Sequence, residues 1–195
     1  MTHTQLLASI KQGKIAPVYL LVGEETFQHD EAIRVLIEAV VDPAGRDFNL
    51  HVFYADEADP SEVANVAASY PLLAEKRMVV VKRAEKLTEA AFDTILPSLL
   101  PSNETTCLVF AASGVDFRRK GWGQVKNIAQ VVEYKQIYDN KIPEWIERYV
   151  GEQGGRISRE AARLLGDVVG NHLGELSGEI EKLRLVSENG AIGVE

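Results

Sequence analysis

The residues with the clearest chemical potential in this chain lie at a strand–glycine–helix junction. Pro17-Val18-Tyr19-Leu20-Leu21-Val22 is a short apolar run that reads as a buried strand. Gly23-Glu24-Glu25 follows, and a helical pattern begins at Phe27. In phosphate-binding α/β proteins this junction carries G-x-x-x-x-G-K-[ST], whose backbone N–H groups and lysine hold the phosphates. Here a single glycine precedes two carboxylates that would repel a triphosphate, and no lysine stands ready to hold one. The pattern has the architecture of nucleotide binding without its chemistry. It points away from an ATPase and toward a subunit that works by contact.

Other chemistry-bearing residues give weaker signals. His3, His29, His51 and His172 are scattered, with no His or Cys partner at ligand spacing, so no metal site is expected. Cys107, the only cysteine, sits in the apolar run Thr106-Cys107-Leu108-Val109-Phe110 and reads as a small hydrophobe rather than a nucleophile. No G-x-S-x-G elbow or catalytic acid dyad is present, and Glu24-Glu25 reads as solvated loop. Asp116-Phe117-Arg118-Arg119-Lys120-Gly121-Trp122 is the most basic stretch. Arg118, Arg119 and Lys120 either touch a DNA backbone or form a solvated helix start capped by Asp116, and the second reading carries more weight. Leu72 and Leu73, between Pro71 and the charged Glu75-Lys76-Arg77, either fold into the core or form an exposed apolar wedge for a partner.

The elements that must position these residues alternate. Leu6, Leu7 and Ile10 share a helix face, ended by Gly13. The strand at 17–22 is followed by a helix carrying Phe27, Ala32, Ile33, Leu36, Ile37 and Val40, stopped by Asp42-Pro43. Residues 50–54 form a second strand, and Asp59-Pro60 opens a helix to about Ser69. Met78-Val79-Val80-Val81 is a third strand, whose unbroken β-branched run argues burial on both faces. Leu87 to Leu100 is helical with an interruption at Pro97, residues 105–111 are a fourth strand, Arg118 to Ala129 are helical, and 131–133 are a fifth strand. This order predicts an α/β fold with a mainly parallel sheet and flanking helices in residues 1–140. From Ile142 onward no strand signal remains. One helix carries Trp145, Ile146, Tyr149 and Val150, ending at Gly154-Gly155. Ser158 caps a second, with Leu164 and Leu165 on its inner face. Asn171 caps a third, carrying Leu173, Leu176, Ile180 and Leu183. Residues 141–195 are therefore expected to form a small all-helical domain, joined near Tyr138-Asp139-Asn140, with Asn189-Gly190 as a late turn signal.

Composition narrows the function classes. The 195 residues suffice for one α/β domain and a small second one, and 46% hydrophobic content is globular. No apolar run approaches the roughly 20 residues of a membrane span, and no signal peptide opens the chain, so a reduced cytoplasm is expected. A formal charge of −8 disfavours stand-alone nucleic-acid binding, which rests on neutralising phosphates.

The order of these segments resembles the δ subunit of bacterial DNA polymerase III, the clamp-loader subunit that opens the sliding clamp. The resemblance is carried by Pro17 to Glu25, by Tyr70-Pro71-Leu72-Leu73-Ala74-Glu75-Lys76-Arg77 leading into Met78 to Lys82, by Asp116 to Lys120, and by Leu173 to Leu185. It implies an AAA+-like α/β domain with a degenerate P-loop (Gly23, Glu24, Glu25) and a helical lid, without the family's third, collar domain. It implies a non-catalytic subunit of a DNA-directed DNA polymerase, itself a nucleotidyltransferase, needing no cofactor. Its partners would be the sliding clamp (β subunit), the ATPase and δ′-type subunits, and primed DNA within the complex, and the chain alone would be monomeric. Leu72 and Leu73, flanked by Pro71 and Arg77, fall where the family places two hydrophobic residues that enter a clamp pocket, which turns the balance to the wedge. Lys82 stands where ATPase relatives carry the Walker B acid, and a cation there would repel Mg²⁺. Two rivals remain: a divergent P-loop nucleotide-binding enzyme, and a nucleic-acid-binding module built on Arg118, Arg119 and Lys120.

Overall fold

The computed structural model describes residues 1–99, 105–187 and 191–193. Leu100 and Asn189-Gly190, assigned above to a helix end and a turn, lie outside them. The chain divides into two units, Met1–Lys135 and Gln136–Glu195.

In the first unit, helix α1 (His3–Lys11) precedes strand β1 (Val18–Val22), helix α2 (Thr26–Val40), a short helix α3 (Arg46–Asn49) and strand β2 (Leu50–Tyr54). Helix α4 (Pro60–Ala68), strand β3 (Arg77–Lys82), helix α5 (Glu89–Ile95), strand β4 (Thr106–Ala112), helix α6 (Lys120–Ile128) and strand β5 (Gln130–Glu133) complete it. The five strands form one sheet in the order β2-β3-β4-β1-β5, and every pairing is parallel. Helix starts follow local chemistry. Asp59 accepts a hydrogen bond from the Ser61 N–H at 2.8 Å with Pro60 in the first turn, and Thr88 accepts from the Ala91 N–H at 3.2 Å. Pro97 ends α5 as expected, the chain passing into a single-turn 3₁₀ segment.

A sheet buried on both faces shows its period of two in what each residue touches. Val18, Leu20, Val79, Val81, Leu108 and Phe110 face α4, α5 and α6, whereas Tyr19, Leu21, Val80 and Val109 face α1 and α2. Cys107 belongs to the second layer. Its thiol is 2% exposed, lies 3.6 Å from the Ala16 carbonyl, and is pushed up to about 12 by burial. The first layer centres on Phe92, whose ring meets Trp122 edge-on at 4.8 Å. Gly121 makes this approach possible, because a Cβ there would stand 2.1 Å from the Phe92 ring. On the opposite layer Tyr134, just after β5, sits between His3 and His29, with ring centroids 5.7 and 5.0 Å away. His29 is 4% exposed and its Nε2 has no hydrogen-bond partner among the described residues, and burial holds its imidazole down to about 4.

In the second unit, helix α7 (Ile142–Glu152) buries Trp145, Ile146, Tyr149 and Val150, and Gly154 leaves it in the left-handed region at φ 76°. Three expectations need correction. The unit is not purely helical: strand β6 (Arg156–Ile157) pairs in parallel with strand β7 (Ala191–Ile192), on either side of helices α8 (Arg159–Val169) and α9 (Leu173–Val186). A two-residue strand is too short to show alternation, and its partner lies beyond two helices. The α8 interface is also made differently. Ser158 caps the helix by accepting from the Ala161 N–H, but Ala161 and Ala162 are its buried residues and Leu164 is 51% exposed. Asn171 does not cap α9. His172 holds that position, and the Asn171 amide donates to Asp139 at 2.9 Å.

Two outcomes follow from this packing. Gly121→Ala should lower stability by about 2 kcal/mol, because overpacking against a buried ring costs up to about 3 kcal/mol and the helix-propensity gain returns about 1. An unchanged urea midpoint would contradict the packing. For His29, a depressed folded-state value means the neutral form is favoured in the fold, so the contribution is present above the unfolded value near 6.5 and is lost as pH falls toward 4. Relative to His29→Leu, the natural chain should lose about 2–3 kcal/mol between pH 7 and pH 4.5. Parallel pH profiles for the two chains would rule this out.

Candidate functional site

Two regions carry the functional expectations, and β3 joins them. The first lies at the carboxyl ends of β1 and β3, where open α/β sheets bind ligands. The β1–α2 connection is Gly23-Glu24-Glu25, and Gly23 has φ 139°. Its N–H donates to the Ala112 carbonyl at 3.0 Å, and a Cβ on it would fall 1.8 Å from the Tyr134 carbonyl oxygen. The glycine is therefore used for close packing between neighbouring chain segments. α2 begins at Thr26 with Glu25 as an N-cap that makes no side-chain capping bond.

Lys82, at the end of β3, closes the same region. Its ammonium pairs with Asp30 of α2 at 2.6 Å. Arg83, at φ 53°, pairs with Asp56 at 2.8 Å and Glu57 at 2.6 Å and lies over the Tyr54 ring at 4.5 Å. Glu85 accepts a hydrogen bond from the Ser113 N–H at 3.1 Å. The cleft that remains, lined by Thr26, His29, Asp30, Lys82 and Arg83 among others, holds about 160 Å³. Pockets for drug-sized ligands run to roughly 300 Å³ or more. Protein cations and carboxylates satisfy one another here, which leaves little for phosphate or metal.

The second region is the loop between α4 and β3, at the opposite end of that strand. Leu73 is 99% exposed and Leu72 50%, with Tyr70 exposed beside them and Pro71 half-buried. Leu73 holds φ 51°, a left-handed conformation that costs an L residue about 1–2 kcal/mol. Arg77 does not share this exposure. It is 6% exposed, and its guanidinium donates to the Val66 carbonyl at 2.9 Å and to the Ser69 hydroxyl, at the C-terminal end of α4. Burial lowers its ionisation value, and no carboxylate pairs with it among the described residues. A cation at a helix C-terminus meets the negative end of the helix dipole. The Thr106 hydroxyl donates to the neighbouring Ala67 carbonyl at 3.0 Å, so the end of α4 is tied to β3 and β4 at the base of the loop.

Sequence reasoning missed Asn49, which lies fully buried at the end of α3. Its carboxamide accepts from the Leu72 N–H at 2.8 Å and donates to the Leu72 carbonyl at 2.9 Å and the Gly45 carbonyl at 3.1 Å. The one available signal was an amide side chain immediately before a strand.

The basic stretch is paired throughout. Arg118 makes a two-pronged contact with Asp116, whose carboxyl is pulled down to about 2 by those hydrogen bonds. Arg119 pairs with Glu89 at 3.0 Å and Lys120 with Asp93 at 2.8 Å. Asp116 also accepts from the Arg118 N–H, but this closes a turn, because α6 starts only at Lys120.

Comparison with known proteins matches this arrangement. A family model described as DNA polymerase III, delta subunit, fits residues 19–135. The DNA polymerase III subunit delta of Bacillus subtilis is 29% identical over 187 residues, covering 90% of this chain and 53% of that protein. The chain thus spans about half the length of that relative. Among solved structures, the Bacillus subtilis DNA clamp loader delta protein superposes with a TM-score of 0.78 at 25% identity, over 98% of this chain and 60% of the other. The Thermotoga maritima RuvB Holliday junction branch migration motor shares the fold, with a TM-score of 0.59 at 14% identity over 96% of this chain and 61% of that one. With the family model spanning both the β1–α2 junction and the exposed Leu72-Leu73 loop, the chain belongs to the DNA polymerase III delta subunit family.

Proposed function

We propose that this chain is the clamp-contacting part of a delta-type clamp-loader subunit, acting in the cytoplasm in DNA replication. Residues 1–140 would serve as the AAA+-like body and 141–195 as its lid. Leu72 and Leu73 enter an apolar pocket on the sliding clamp and favour its open conformer by differential affinity. Sister subunits of ATPase and δ′ type supply the ATP-driven steps, and primed DNA is met only within that complex. The single observation behind this reading is Leu73, an apolar side chain 99% exposed on a backbone held at φ 51°. An exposed leucine on a strained residue buries nothing in the free chain, so its use lies in a partner.

The enzymatic rival is disfavoured by the Gly23 packing and the Lys82–Asp30 pair, which occupy the place where phosphates and a metal would sit. The nucleic-acid rival is disfavoured by carboxylate partners on Arg118, Arg119 and Lys120, which leave the stretch nearly neutral.

Leu72→Ala with Leu73→Ala should weaken clamp binding by about a hundredfold or more, as central apolar anchors at interfaces do. Unfolding free energy should change by no more than about 1 kcal/mol, since neither side chain is buried. A large fall in melting temperature with unchanged affinity of the folded fraction would place both leucines in the core instead. The chain should also show no saturable ATP binding at micromolar concentration with or without Mg²⁺. Calorimetric titration checks this, and a Mg²⁺-dependent isotherm would overturn the non-nucleotide reading.

A further inference from the structure

We propose that Asn49 is the positioning residue of the wedge, pre-setting Leu72 and Leu73 for the partner without touching it. The inference rests on the reading of these leucines as the clamp-binding pair. Its basis is where the loop's backbone hydrogen bonds go. Between Tyr70 and Lys76, among the described residues, the backbone bonds are those made to Asn49. The carboxamide exchanges a donor and an acceptor with one residue 23 positions away, as a neighbouring strand would. The orientation of the amide follows from this pairing: its oxygen must face the Leu72 N–H, so its nitrogen serves the Leu72 and Gly45 carbonyls.

Asn49 is itself tightly held. It is fully buried, and a Cβ on Gly45 would stand 3.0 Å from its Nδ2. It therefore cannot reach a partner, and it acts only through Leu72. The next residue, Leu73, keeps its left-handed conformation because the chain is gripped on both sides. Asn49 holds Leu72, and Arg77 is anchored by its N–H on the Thr105 carbonyl at 2.8 Å and by its guanidinium on α4. A loop fixed in this way docks with little loss of conformational entropy, which is what pre-organisation contributes to affinity.

The experiment measures binding of the whole chain to purified sliding clamp by surface plasmon resonance, together with hydrogen exchange at the Leu72 amide. Four chains are compared: natural, Asn49→Ala, Leu73→Ala, and the two changes together. Asn49→Ala should weaken binding by about tenfold, the cost of re-ordering on docking a loop that has lost its two hydrogen bonds to Asn49. Exchange at Leu72 should accelerate, and the effect of Asn49→Ala should shrink in the Leu73→Ala background, where less remains to be positioned. An equal loss in both backgrounds, or unchanged affinity in Asn49→Ala while Leu73→Ala loses it, overturns the proposal and leaves the wedge reading intact. Unchanged affinity in Leu73→Ala removes the wedge reading itself. If Asn49→Ala does not fold, Asn49→Asp makes the same comparison, since it keeps the acceptor facing the Leu72 N–H and loses both donors. An affinity equal to that of the natural chain then counts against the proposal.

Discussion

Burial of the central strands on both faces is the constraint on which everything else in this molecule depends. A parallel strand cannot turn back on its neighbour, so each is followed by a crossover, and the helices of those crossovers cover the sheet. Val79 and Val81 then need α4, α5 and α6, while Met78 and Val80 need α1 and α2. The same rule sends the connections to opposite ends of the sheet. Segments after strands gather at the carboxyl edge, and segments returning to strands gather at the amino edge. β3 has Arg77 at one end and Lys82 at the other, about 17 Å apart at the usual rise per residue. The ion-paired carboxyl edge and the exposed leucine loop are thus the two ends of one buried strand.

At the carboxyl edge the chain's own charges pair with one another around a small cleft. Gly23 packs on the Tyr134 carbonyl, and Lys82 and Arg83 bind carboxylates from α2 and from the segment after β2. Each of these ion pairs is partly exposed and adds little stability alone. Their consequence is occupancy: charges that would meet a phosphate or a metal are already matched.

The amino edge does the reverse, spending polar groups to hold apolar ones outward. Asn49, Arg77 and Thr106 each donate a hydrogen bond to a main-chain carbonyl of α4 or of the loop. Buried side chains that bond to backbone define a loop's path more sharply than apolar packing, because an unmade bond there is costly. The outcome is a leucine at a positive φ with its side chain in solvent.

Much of this was legible in the residues alone. Short apolar or alternating runs marked the five strands of the large sheet, and Asp59-Pro60 and Ser158 marked helix starts, because these signals are local. The missing lysine after Gly23 and the cation at position 82 were equally readable, since chemistry that is absent from a motif needs no fold to show it. The tertiary structure decided what depends on distant partners. The β6–β7 pair joins residues separated by two helices, and the burial of Ala161 and Ala162 in place of Leu164 depends on which side of α8 meets its neighbours. Position 171 looked like a cap, yet its amide reached Asp139 instead. The choice between a buried and an exposed Leu73 lay in a bond from Asn49 to the preceding residue, 23 positions away. Local pattern sets which segments become strands and helices, because backbone periodicity is a property of neighbours. Where a loop points is set by hydrogen bonds that exist only after the sheet has brought its tethers together.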